Sequence, residues 1–322
     1  MAYPVSDHCD GQRFFNPCPP SASRGLMKVI RWRFRGDHPA WPTDVPNPPM
    51  PPPPATVPAG QAAVTFINHA SFLIRLPDMV VLTDPIFSRR CSPVGWAGPA
   101  RVRAPGIALA DLPRIDLILL SHNHYDHMDL PSLRAVQQRH APAVVTTLGN
   151  ARPLRALGID ATELDWWQQT ACGTLRITAT PARHFAARTP FDRNRTLWGG
   201  FMLHHADGRI LFAGDSGAGP HWHAIHDRLG APDVALLPIG AYEPRWFMAP
   251  VHMNPTEAVQ AHQALHARQS VGMHFGTFHL TDEAIDAPLH ALRDAIGQAA
   301  IAPASFVTLE HGETRQFMLA AA

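Results

Sequence analysis

Ser121-His122-Asn123-His124-Tyr125-Asp126-His127 is the stretch on which the reading of this chain turns. It follows directly on Ile115–Leu120, an apolar run of the kind expected of a strand buried on both faces. Four ligand-type side chains, His122, His124, Asp126 and His127, therefore stand within six residues at the end of a rigid element. A loop leaving a strand points alternate side chains one way, so His122 and His124 can reach one metal ion. Asp126 and His127, after the turn, can reach a second. A hydrated surface loop seldom needs this density of imidazole.

A metal needs ligands from elsewhere in the chain, and suitable ones occur. His184 follows a predicted strand, Thr174–Thr180. Asp215 ends the predicted strand Arg209–Ala213, in Ala213-Gly214-Asp215-Ser216-Gly217. His274 ends the predicted strand Ser270–Phe275, before Gly276. Each stands at the C-terminal edge of a strand, where layered α/β folds gather their sites. The set then holds five histidines and two aspartates, in a chain of 322 residues with 20 histidines. Neutral imidazole is the commonest metal ligand, so the excess agrees with the motif.

Further out, Val64–Ile67, Phe72–Leu76 and Met79–Thr83 read as short strands in hairpins. Ala143–Thr146, Trp198–His204, Val234–Ile239 and Phe306–Leu309 read as later strands. Leu130–Arg139 reads as a helix, and so does Asn254–Ala267, with Asn254 as cap, Pro255 in the first turn and Glu257 completing a capping box. Hairpins followed by alternating strands and helices suit two stacked mixed sheets flanked by helices. Pattern alone does not separate this from other layered α/β folds.

The first 60 residues differ, with 14 of the 33 prolines. We read residues 1–60 as a Pro-rich, partly extended arm and residues 61–322 as the folded domain that carries the motif. Pro46–Pro58 should be extended, because proline fixes φ and lacks an N–H. Met27–Arg35 alternates cations with Val29, Trp32 and Phe34, which suits a strap on the domain or a contact with anionic lipid. A net charge of +1 offers no dense basic field, so nucleic acid is not expected as a partner. The four cysteines form no Cys-x-x-Cys pair and read as free thiols. No apolar run is long enough to span a bilayer and no secretory signal is evident, so a cytoplasmic protein with peripheral membrane contact is expected.

The pattern His-x-His-x-Asp-His, then a distant His, Asp and His, resembles the metallo-β-lactamase superfamily. The resemblance implies that family's αβ/βα sandwich. It also implies a first metal on His122, His124 and His184, a second on Asp126, His127 and His274, and Asp215 bridging them. Thr83-Asp84-Pro85 matches the superfamily's early aspartate motif, which implies that Asp84 orients a ligand imidazole. A narrower likeness lies in Leu82–Ser88, Glu163-Leu164-Asp165-Trp166-Trp167, Leu197-Trp198-Gly199, Ile239–Met248, His274–Phe278 and His311-Gly312-Glu313. These segments resemble the N-acyl-phosphatidylethanolamine phospholipase D family, from about Val64 to about Phe317. Three positions depart from that family: Ala187 stands for a lysine, Val251 for a glutamine and Asn68 for a glycine.

The resemblance implies hydrolysis of N-acylated phosphatidylethanolamine to phosphatidic acid and an N-acylethanolamine. Two divalent metals, zinc foremost with iron or manganese as alternatives, would hold a bridging hydroxide that attacks phosphorus. Asp126 and Asp215 carry the metals, and His252 is the candidate for touching the phosphate or leaving oxygen. Arg188 is the candidate for the phosphate-binding charge that Ala187 lacks. Tyr242, Trp246 and Phe247 are candidates for lipid contact. The expected partner is a phospholipid or another phosphodiester, with a homodimer left open. Two alternatives stay open: a lactonase for sugar-phosphate lactones, and a non-catalytic metal-stabilised scaffold that binds lipid.

Overall fold

A computed structural model describes residues 2–17 and 39–320 of the chain. The basic and aromatic segment Met27–Arg35 lies outside the described residues. The first sheet takes β1 (Gln61–Asn68), β2 (Ser71–Arg75), β3 (Val80–Thr83), β4 (Leu117–Leu120), β5 (Ala143–Thr147) and β6 (Thr162–Leu164). The second takes β7 (Gln169–Cys172), β8 (Leu175–Thr180), β9 (Gly200–His205), β10 (Gly208–Phe212), β11 (Val234–Pro238), β12 (Gln269–Met273) and β13 (Phe306–Val307). β14 (Thr314–Met318) then returns to the first sheet and pairs antiparallel with β1, Gln61 opposite Met318. The orders are β14-β1-β2-β3-β4-β5-β6 and β13-β12-β11-β10-β9-β8-β7.

Both sheets are mixed in the same way. β3 to β6 run parallel, as do β10 to β13, and the remaining neighbours are antiparallel. Parallel neighbours need crossovers, and helices supply them. α1 (Leu130–His140) and α2 (Ala151–Arg155) flank β5. α3 (His221–Leu229) leads into β11, α4 (Arg245–Met248) and α5 (Pro255–Ala264) lead into β12, and α6 (Ala287–Gln298) precedes β13. Among the described residues no helix is long and apolar enough to cross a membrane.

The two-residue period of a strand explains why β4 is apolar throughout. Leu117 and Leu119 join the large cluster that also holds Phe66 and Phe72 of the first sheet and Ile177, Phe201 and Phe212 of the second. Ile118 and Leu120 point the other way, into a cluster with Leu133 and Val136 of α1 and Leu154 of α2. Each such side chain contributes roughly 1.5–3 kcal/mol by leaving water. A loop launched from a strand pinned on both faces has little freedom at its root.

The N-terminal residues pack on this frame. Cys9 and Phe14 are buried in a cluster with Trp166, Ala182, Ala186, Leu197 and Trp198. The proline-rich stretch 46–58 carries neither helix nor strand. Near it, Val45 N–H donates to Val102 O at 2.7 Å and Trp41 Nε1–H donates to Glu283 O at 2.9 Å. Cys9, Cys91 and Cys172 are free thiols.

The observed elements shift several expected ones. The predicted strand Ser270–Phe275 ends at Met273, so His274 lies just past it with φ 65°. The helix expected over Asn254–Ala267 stops at Ala264, and its capping box is present. The segment Tyr242–Met248, which carries the candidate lipid contacts, includes the short helix α4.

Candidate metal centre

Six strands deliver their C-terminal ends to one edge of the sandwich. His69 leaves β1, Asp84 leaves β3, Ser121–His127 leave β4, His184 follows β8, Asp215 follows β10 and His274 follows β12. Three of these residues hold a positive φ unusual for a side-chain-bearing residue: Asp84 at 31°, His69 at 49° and His274 at 65°. Such backbone costs of order 1–3 kcal/mol per residue and persists where the surroundings fix it. His274 N–H donating to His69 O at 2.7 Å is one such restraint. Gly214 has φ 61°, and a Cβ there would sit 2.5 Å from Gly199 O, so only glycine lets Asp215 turn in.

The side chains converge in two groups that share one oxygen. In the first, His124 Nδ1 lies 2.9 Å from His122 Nε2 and 3.1 Å from His184 Nε2. In the second, His127 Nε2 and His274 Nε2 each lie 3.5 Å from Asp126 Oδ2. Asp215 Oδ2 lies 3.1 Å from His127 Nε2, 3.0 Å from His274 Nε2 and 3.8 Å from His184 Nε2. All seven ligand-type residues expected from the sequence are thus brought together.

The surrounding hydrogen bonds decide which nitrogen of each ring faces inward. Asp84, fully buried, accepts from His127 Nδ1–H at 2.7 Å and from Ser121 Oγ–H at 2.5 Å. Ser121 Oγ, having donated to Asp84, accepts from His122 Nδ1–H at 2.9 Å. His184 Nδ1–H donates to Val251 O at 3.1 Å. The Nε2 lone pairs of His122 and His184 are therefore presented inward. Burial holds both imidazoles well below the ordinary histidine pKa, and His124 at about 4. In the second group, burial alone would lower His127 and His274, but Asp215 and Asp126 outweigh it. His127 is pushed well up and His274 to about 9.

These groups fit divalent metals. A tetrahedral centre with bonds of about 2.0–2.1 Å spaces its ligands about 3.3–3.4 Å apart. The observed separations of 2.9–3.8 Å bracket that value. Buried His127 Nε2, His274 Nε2 and Asp215 Oδ1 make no aligned hydrogen bond, and a cation among them would satisfy all three.

A cavity of about 340 Å³ opens over the two groups. His124, Asp126, Asp215, His252 and His274 form its polar side, and Phe185, Phe247, Met248 and Leu280 its apolar walls. The His252 ring lies 5.0 Å from that of His184 and 5.3 Å from that of His274.

The chain matches the β-lactamase superfamily domain over residues 80–275. It belongs to the metallo-β-lactamase superfamily. It is 36% identical over 264 residues to the N-acyl-phosphatidylethanolamine-hydrolyzing phospholipase D 1 of Caenorhabditis elegans, covering 77% of this chain and 74% of that one. A second relative is the mitochondrial N-acyl-phosphatidylethanolamine-hydrolyzing phospholipase D of Saccharomyces cerevisiae, 37% identical over 211 residues, covering 63% of this chain and 45% of that one. Among solved structures, Igni18, a metallo hydrolase from Ignicoccus hospitalis, superposes with a TM-score of 0.61 at 21% identity, over 80% of this chain and 98% of that one. The two seven-stranded sheets are the fold of this superfamily, and the chain is a metal-dependent hydrolase.

Other expected contacts take different places. Arg188 lies outside the cavity: its guanidinium donates to Asn123 O and Met128 O, both at 2.8 Å, and sits 3.9 Å over the Tyr125 ring. Phe247 walls the cavity, Tyr242 is buried beside it and Trp246 is 51% exposed. Three residues given no role from sequence stand at the centre. Ser121 links Asp84 to His122, His69 Nε2 lies 3.0 Å from Asp126 Oδ2, and Arg193 lines the cavity. The position of Ser121 inside the motif was the signal for the first of these.

Proposed function

We propose that this superfamily member is a phospholipase D-type phosphodiesterase acting on N-acyl-phosphatidylethanolamine-type lipids, with phosphatidic acid and an N-acylethanolamine as products. The observation that carries the proposal is the cavity itself. A floor of metal ligands meets walls of Phe185, Phe247, Met248 and Leu280, which suits a charged phosphate joined to acyl chains. The 36% identity to the nematode enzyme points the same way.

His122, His124 and His184 would hold one metal, Asp126, His127 and His274 the other, and Asp215 both. The nitrogen-rich first group favours zinc, and the mixed second group would also accept iron or manganese. When bound, two such metals supply Lewis acidity for a phosphate and acidify water enough for attack at neutral pH. Asp84 and Ser121 hold the ligand rings in the productive tautomer. His252 stands at the rim of the ligand cluster, where a proton can be given to a leaving oxygen. Exposed Trp246, beside Phe247, would rest at a membrane surface and admit lipid chains from it.

The test is incubation of metal-analysed protein with N-acyl-phosphatidylethanolamine in mixed micelles, beside Asp215→Asn. Both products, followed by mass spectrometry, should appear with the wild type and vanish with the variant. Two bound metals without lipid turnover would sink the proposal and direct the search to lactones and esters.

A further inference from the structure

The cavity over the ligand groups has one arginine or lysine among the described residues that line it, Arg193. Its guanidinium carbon lies 4.4 Å over the Phe185 ring, and that ring packs edge-on 4.5 Å from His124. Lost hydration lowers the Arg193 pKa, and no carboxylate among its neighbours raises it. A fixed positive charge beside the metal ligands, stacked on an aromatic wall and not paired with an acid among the described residues, is a place for an anion.

The loop that presents Arg193 is fastened without help from its side chain. Asn194 N–H donates to Ala186 O at 2.7 Å and Phe14 N–H donates to Asn194 O at 2.8 Å. Asp192 Oδ1 accepts from the N–H of Arg188 at 3.0 Å and of Thr189 at 2.8 Å, and Arg13 donates to Arg193 O. Arg188, five residues earlier, is committed to two backbone carbonyls.

We propose that Arg193 binds an anionic oxygen of the substrate that the metal ligands leave free, and so selects a phosphodiester monoanion over a neutral ester. The identity of the anion rests on the phosphodiesterase reading; the binding of an anion at Arg193 does not.

Dimethyl phosphate is the probe, titrated calorimetrically into metal-loaded full-length protein. Arg193→Ala should weaken its binding by roughly 10- to 100-fold, the range for a charge-assisted hydrogen bond. Arg193→Lys should recover most of the loss, and all three proteins should hold the same metal. On bis(p-nitrophenyl) phosphate the alanine variant should raise KM more than it lowers kcat, with a larger loss than on neutral p-nitrophenyl acetate. Equal affinity in wild type and Arg193→Ala, or no binding by the wild type, would overturn the proposal. A wild type that binds dimethyl phosphate through Arg193 yet cleaves no phosphodiester would refute the proposed function alone.

Discussion

His127 and His274 carry a conflict that a metal resolves. Without metal, each is held in its charged form by Asp215 and Asp126 against the pull of burial, His274 up to about 9. A ligand must give up that proton. Metal uptake by the second group at pH 7 should therefore release about two protons, one from each ring. The first group, held neutral, should release almost none. Calorimetry in two buffers of different ionisation enthalpy would measure the count, and equal release from both groups would refute it. The sign for the metal-free protein follows from linkage. A histidine raised above its ordinary 6.5 adds stability that is full below that value and is lost as pH climbs through about 9. Metal-free protein should accordingly melt lower at pH 9.5 than at pH 7.5. The ligands were legible because six neighbouring residues carry four of them and the rest end apolar runs. His69 and Arg193 were not, because each gains its place only when a distant strand or the N-terminal segment packs against it.

Among the elements, the passage from β4 to α1 shows how a loop is made rigid. Arg188 spans it, donating to Asn123 O before the turn and Met128 O after it, with Tyr125 beneath. Arg188→Met keeps the stem but removes both donors. It should cost about 1–3 kcal/mol, lower Tm by several degrees and speed metal loss to a chelator. An unchanged Tm with a raised KM would instead return Arg188 to substrate binding. Elements were legible where local chemistry speaks. Asn254-Pro255-Thr256-Glu257 announced α5, whose cap accepts from Glu257 N at 2.8 Å. β7, with alternating exposed and half-buried Gln169–Cys172, has no apolar stripe to announce it. β14 depends on pairing with β1, the first strand of the sandwich.

For the molecule as a whole, the two sheets contribute unequally placed halves of one centre. β1, β3 and β4 bring His69, Asp84 and the motif loop, and β8, β10 and β12 bring His184, Asp215 and His274. The N-terminal segment braces the seam: Asn16 Nδ2–H donates to His184 O at 2.9 Å, and Phe14 is buried against Trp166 and Trp198. Phe14→Ala should cost roughly 3–5 kcal/mol and release metal from the first group before the second. Simultaneous loss from both groups on stepwise chelation would show that the segment acts only on global stability. The stacked-sheet class was readable from hairpins giving way to alternating strands and helices. The docking of an arm so poor in regular structure was not, because its hold comes from a few scattered side chains.

The return of β14 to β1 sets an order of events at the ribosome. β1, whose apolar residues line the sheet interface, is translated well before its edge partner β14. Until then the nascent chain carries an uncovered sheet edge that can recruit a neighbour on the same messenger. Closure of that edge comes after His274, the last of the seven ligand-type residues, has been translated, so the ligand set is complete before the edge is buried.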